Sequence, residues 1–278
     1  MKGEYAIFRF DADLAVEHVH AFYRKHRFPP HSHADYLIGL TTEGTEDFVQ
    51  AGQPGRSVAG SLRTINPGVV HEGGSLPGKG WGYRALFLPP ERMRRAIAAA
   101  GQSGLPILAG PVITNADVAR AFTRLSETLV STADAADREA ALTDFLALLV
   151  EHAILGAGAT AQSVEREAVR RVREHLMTEA NKRVTLEQLV EIAGISKFHL
   201  IRVFRAETGL TPWQFQTQAR IDMARRLLAI GEPASQVAAA CGFVDQSHLT
   251  RRFRRIVGTT PAAYRGGIRS GLNNQVVA

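Results

Sequence analysis

The sequence predicts an α+β chain: an antiparallel β-barrel followed by helices in the first half, and an all-α second half. Three observations carry this. Residues 28–88 hold short apolar runs broken by Gly and Pro. Beyond Pro89-Pro90 the apolar positions recur at helical spacing, and two stretches of the second half repeat each other at a fixed offset. At 278 residues the chain suits two folding units, each able to bury its own core.

In the first half, Tyr36-Leu37-Ile38-Gly39-Leu40 and Leu62-Arg63-Thr64-Ile65 read as strands of a small barrel or sandwich. Helical texture follows. Asn115 or Asp117 caps an apolar-periodic stretch ending at Val130, and a second stretch over 137–155 places Ala141, Leu142, Phe145, Leu148, Leu149 and His152 on one face. These two amphipathic helices are expected to dimerise or to pack on the barrel. Gly156-Ala157-Gly158-Ala159-Thr160-Ala161 has no periodicity and reads as an interdomain linker. The expected boundaries are 1–155 for the barrel and its helices, 156–165 for the linker, 166–266 for the helical unit and 267–278 for a flexible tail.

In the second half His199, Leu200, Arg202, Phe204, Arg205, Gly209, Thr211 and Pro212 recur 49 residues later as His248, Leu249, Arg251, Phe253, Arg254, Gly258, Thr260 and Pro261. Upstream the offset is 48, pairing Leu189, Val190 and Gly194 with Val237, Ala238 and Gly242, so the second copy has one extra residue in its turn. Each copy reads as helix, Gly-containing turn, helix. In the first, Leu186, Leu189, Val190 and Ala193 form a stripe, Gly194 permits the turn, Ser196 caps, and Leu200, Val203 and Phe204 face back. Lys197, Phe198, Ile201, Arg202 and Arg205 remain outside. In the second, Val237, Ala238, Cys241, Leu249, Phe253 and Ile256 face in, while Gln246, Ser247, His248, Thr250, Arg251, Arg252, Arg254 and Arg255 face out. Between the copies, residues 212–230 read as one helix with Phe215, Ala219, Met223, Leu227 and Ile230 on its apolar side. Its roughly 19 residues span about 28 Å, near the roughly 34 Å between major-groove faces one turn apart.

Charge separates the halves. Residues 1–162 carry 15 Lys+Arg against 17 Asp+Glu, net −2; residues 163–278 carry 18 against 10, net +8. Phosphate neutralisation gives nucleic-acid binding its sequence-independent affinity, so this asymmetry points to a nucleic-acid partner. An outward face of Gln, Ser, His, Thr and Arg suits major-groove readout, where Arg forks onto guanine and Gln onto adenine. The single cysteine excludes a disulfide framework and sits in an apolar stripe, so it reads as a small core residue. No apolar leader or run of 18 apolar residues occurs, and a cytoplasmic protein without membrane partners is expected.

Ala240-Cys241-Gly242-Phe243-Val244-Asp245-Gln246-Ser247-His248-Leu249-Thr250-Arg251-Arg252-Phe253, followed by Gly258, Thr260, Pro261, Tyr264 and Arg265, resembles the AraC/XylS family of transcription regulators, over roughly residues 166–265. The resemblance implies base reading from Phe198, Ile201 and Arg202 in the first unit and from Gln246, Ser247, His248 and Arg251 in the second. Phe198 and Ile201 suit thymine methyls.

His31-Ser32-His33 on an expected strand would point both imidazoles to one face, and His71 would complete a cluster. The combination resembles the cupin barrel and the ligand-binding domains attached to AraC-type regulators. The carboxylate a metal cupin supplies after the second histidine is absent; Leu37 or Ile38 stands there, with Asp35 as an alternative on the same face. Three readings stay open: an organic effector held by His31, His33, Asp35, His71 and Glu72; satisfied structural histidines; or a divalent metal on His31, His33 and His71. Trp81, Tyr83 and Arg84 are candidate neighbours. The resemblance implies a non-enzymatic, effector-controlled regulator without a cofactor. Its partners would be double-stranded DNA, a small-molecule effector, a second copy of the chain and RNA polymerase. The competing expectation is a metal cupin enzyme, such as a dioxygenase or isomerase, or a metal sensor, fused to a DNA-binding domain.

Overall fold

The computed structural model describes residues 3–99, 101, 105–155 and 164–270. Strands begin earlier than the sequence pattern suggests. β1 (Tyr5–Asp11) and β2 (Val16–Tyr23) pair antiparallel ahead of β3 (Arg27–His31), and β2 escapes an alternation test because it buries polar Glu17 and His18 among its apolar residues. β4 (Tyr36–Gln50), β5 (Gln53–Val58), β6 (Leu62–Ile65), β7 (His71–Ser75) and β8 (Trp81–Leu88) follow; after α1 (Pro90–Ala99) come short β9 (Ile107–Leu108) and β10 (Val112–Ile113).

One path runs β1-β2-β8-β4-β6-β10, and β3, β5 and β7 join it through the far half of β4. β4 turns the sheet onto itself. Its first half pairs with β6 and β8, its second with β5 and β7, and the ladder slips between Thr41 and Glu43. Gly44 stands at this bend with φ 71°; a Cβ there would lie 2.1 Å from the Gly80 carbonyl oxygen, so no other residue fits.

Asn115 caps α2 (Ala116–Thr128) by accepting from the amides of Asp117 and Val118. α2 packs on α3 (Ala135–Ala153) through Phe122 and Phe145, edge to face with centroids 5.4 Å apart. Val118, Leu125, Leu142 and Leu149 join them in one core with Val16, Ile38 and Leu86 of the strands. The apolar faces of the helices expected to dimerise therefore lie on the barrel, leaving Thr143, Asp144 and Ala147 outward. Ile154–Leu155 forms β11, paired with β9, where helix was expected. Of the expected linker, residues 156–163 lie outside the described residues, and 164–165 already belong to α4 (Val164–Thr178).

α5 (Leu186–Ala193) and α6 (Lys197–Thr208) form the first helix-turn-helix; α8 (Ala234–Ala240) and α9 (Gln246–Val257) the second; α7 (Pro212–Ala229) joins them and α10 (Pro261–Ser270) closes the chain. Gly194 takes the left-handed turn as expected, but Ser196 occupies the cap position of α6 without a side-chain bond, whereas Asp245 caps α9 by accepting from the His248 amide. α7 departs from a single stripe. It buries Phe215, Ile221, Ala224, Leu228 and also Gln216 and Gln218, because both units and the barrel press on it, while Ile230 is 72% exposed. α10 runs through Ser270, four residues into the expected tail; residues 271–278 lie outside the described residues.

The helical half is seated on the barrel. Ala6, Phe8, Val19 and Tyr23 share a core with Ile221, Ala224, Phe253, Val257 and Tyr264. Among the described residues no helix is long and apolar enough to cross a membrane.

Candidate functional site

Two surfaces converge on function. The first is the outward side of α6 and α9. Leu200 and Phe204 anchor α6 inward, so Lys197, Phe198, Arg202 and Arg205 stand in solvent, Phe198 at 83% exposure; Ile201 is half-buried. Leu249 and Phe253 anchor α9, leaving Gln246, Ser247 and Arg251 exposed and His248 and Thr250 half-buried. The Thr250 hydroxyl donates to the Gln246 carbonyl at 2.8 Å, and His248 meets the Phe243 ring edge-on at 5.4 Å, so both also serve the helix itself. His199 pairs with Glu165 at 2.7 Å.

Arg220 on α7 fixes how the two units sit. Its Nε donates to the Ala180 carbonyl at 2.7 Å, its Nη2 to Lys182 at 3.0 Å, and its Nη1 to Gly242 in the turn of the second unit at 2.7 Å. A charge-assisted fork thus ties the loop that leads into the first unit, and the turn of the second, to one helix.

The second surface is a cavity inside the barrel, whose non-atom space amounts to about 790 Å³ including what opens to solvent. Barrel residues Phe8, Val19, Phe28, Leu37, Ile65, Trp81, Tyr83 and Phe87 form an apolar wall, and Gln218, Ile221 and Arg225 of α7 with Ile256 and Val257 of α9 complete it. At its polar end His31, His33 and His71 gather, with ring centroids 4.2, 4.9 and 6.3 Å apart. His31 and His71 are cross-strand partners, but His33 lies beyond the end of β3 rather than on it. Burial lowers the pKa of His31 to about 4, that of His33 to about 3 and that of His71 well below the ordinary value, so all three are neutral at pH 7. Among the described residues no group of three or more His, Cys, Asp or Glu side chains is arranged to hold a metal ion.

Two expected pocket residues are elsewhere. Glu72 sits between inward-facing His71 and Gly73 and so alternates to the outside. Asp35 faces a cleft between the halves, near Asp222 and Arg225. Two unexpected residues line the cavity instead. Arg63 Nε lies 3.3 Å from Glu46, its guanidinium 3.4 Å from the Phe48 ring centre, and burial pushes the Glu46 carboxyl up to about 7 against the pull of Arg63. Arg84 does not line the cavity, while Trp81 and Tyr83 do.

Beside the cavity Arg225 donates to Glu17 of β2 at 2.8 Å, Tyr264 of α10 donates to the other Glu17 oxygen, and the Arg225 guanidinium lies 4.1 Å from the Phe87 ring centre. One barrel carboxylate thereby holds both α7 and α10.

Residues 13–149 match the family model of the AraC-like ligand binding domain, and residues 189–267 match that of a helix-turn-helix domain. The chain is 29% identical over 250 residues to an uncharacterized HTH-type transcriptional regulator of Bacillus subtilis (strain 168), YbfI, covering 90% of this chain and 91% of that one. It is 35% identical over 101 residues to the MmsAB operon regulatory protein of Pseudomonas aeruginosa, covering 36% of this chain and 32% of that one. In fold it is similar to unsaturated fatty acid bound ToxT of Vibrio cholerae, with a TM-score of 0.60 at 14% identity, over 98% of this chain and 96% of that one. The chain belongs to the AraC-type transcriptional regulators, with an N-terminal ligand-binding domain ahead of a helix-turn-helix DNA-binding domain.

Proposed function

We propose that this regulator is switched by a small-molecule effector held in the barrel cavity, and that α6 and α9 read its operator. One observation carries the effector reading: the cavity wall is shared between the barrel and the reading unit, so a bound molecule touches α7 and the end of α9 directly. An effector acts only by favouring one arrangement of the halves over another, and here it meets both. Glu17 gives that contact a handle, since the Arg225 that lines the cavity is the one that ties α7 to β2. The fatty acid bound to ToxT supports a ligand in this fold without fixing its chemistry here. In this reading Phe198, Ile201, Arg202, Gln246, Ser247, His248 and Arg251 meet bases, Lys197, Arg205 and Thr250 flank them, and a homodimer presents the DNA-bound form to RNA polymerase.

The test starts from the genomic fragments that the purified full chain selects. Promoter output from them is then compared for the natural protein and Leu37→Trp, which fills the cavity. Output fixed at one level in a folded variant is the expected result. Unchanged control with a filled cavity sinks the effector reading.

A further inference from the structure

The tautomers of the three cavity imidazoles are set by their backbone partners. His31 Nδ1 lies 2.7 Å from the Pro29 carbonyl oxygen, His33 Nδ1 2.7 Å from that of Asp35, and His71 Nδ1 3.0 Å from that of Val69. A carbonyl oxygen only accepts, so each Nδ1 carries the proton and each Nε2 is a bare lone pair. His33 Nε2 is buried and has no partner. The polar end is therefore rich in acceptors. Arg63 and Arg225 each already lie beside a carboxyl group, Glu46 at 3.3 Å and Glu17 at 2.8 Å. A carboxylate entering here brings a further negative charge to these lone pairs and to the carboxyl groups of Glu46 and Glu17. Protonating an imidazole to receive it is opposed by the same burial that keeps the rings neutral. A hydroxyl group meets both needs, donating to Nε2 while accepting from Arg63 Nη2, which has no acceptor of its own.

We infer that the cavity selects an uncharged ligand that points hydroxyl hydrogens at His31, His33 and His71 and lays a ring or apolar face against Trp81 and Phe87. This rests on the cavity being the effector pocket. The direct test is nitrogen-detected NMR of the imidazoles at pH 7 on the full chain, together with calorimetric titration of catechol, 1,2-dimethoxybenzene, benzoate and zinc chloride. The inference expects the Nδ1–H tautomer on all three rings. It also expects catechol to bind at least tenfold more tightly than the dimethyl ether or benzoate, and His33→Leu to erode that preference about fivefold while leaving dimethoxybenzene unchanged. The wild-type ligand series stands even where the variant misfolds. Benzoate binding as tightly as catechol, or Nε2–H tautomers, overturns the ligand class and leaves the effector reading to the Leu37→Trp experiment. Stoichiometric zinc lost in His71→Ala makes the rings metal ligands and overturns it as well.

Discussion

Glu17 accepts from Arg225 and from Tyr264 while almost buried, and all three side chains come from elements far apart in the chain. Glu17→Gln leaves the buried Arg225 guanidinium with only the more distant Asp222 carboxyl, 4.0 Å away, and we expect a loss of roughly 3–5 kcal/mol in urea unfolding, against about 1 kcal/mol for Tyr264→Phe, which removes one hydrogen bond. A loss equal in both variants would mean that Arg225 has another outlet. On the reading face, Arg251→Ala is expected to weaken cognate DNA by roughly 1–3 kcal/mol and to relax preference at one base, measured by fluorescence anisotropy on single-base operator variants. Equal weakening on every sequence would make Arg251 a phosphate contact instead. The outward set of α9 was legible because helical period separates it cleanly from Leu249 and Phe253. Glu46 was not. The cavity faces of β4 are Leu37, Gly39 and Thr41, and the slip after Thr41 moves the inward phase onto Glu46, a shift no alternation pattern reveals. Nor did anything local mark Arg225 as the partner of a carboxylate 208 residues away.

α7 shows what element-level reading captures and misses. Its existence, its start at Pro212 and its length were legible, and its 18 residues span about 27 Å. Its apolar side was read only in part: Phe215, Met223 and Leu227 pack as expected, but Ile221, Ala224 and Leu228 also face the barrel and second unit, and no single stripe describes a helix gripped from several sides. Arg220 is the pin that makes α7 a spacer. Arg220→Met keeps the stem and removes three carbonyl contacts; we expect binding to a full operator to weaken about tenfold while a half-site is bound nearly as before, read by gel shift on both lengths. Equal losses on the two would show that Arg220 serves stability alone. α2 and α3 illustrate the opposite outcome: their periodicity was plain, but amphipathicity says only that a face is covered and not by what, and here the barrel covers it.

At the level of the molecule, burial of histidines makes stability depend on acid. His18, His31 and His33 are lowered to about 3, 4 and 3, and His71 also falls well below its ordinary value. Below pH 6.5 the unfolded chain takes up protons that the folded one refuses, so stability falls as pH drops from about 6.5 toward 4, each group contributing up to about 1.4 kcal/mol per pH unit. Glu46 and Asp222, raised to about 7, act oppositely: their protons leave the unfolded chain first, so stability falls as pH rises from about 4 to 7. Four imidazoles outnumber two carboxyls. A maximum near pH 6.5 in denaturant melts is expected, and Asp222→Asn should gain more at pH 7 than at pH 5; a gain equal at both would place the Asp222 titration elsewhere. The shared wall of the cavity has a further consequence, visible to genetics. The residues of α7 that roof the cavity, Gln218, Ile221 and Arg225, belong to the same helix that Arg220 pins to the loop before the first reading unit and to the turn of the second. Under the proposed effector control, alleles selected for a new effector at those positions should therefore arrive with altered basal expression, and effector-independent alleles should map to the same turn of chain.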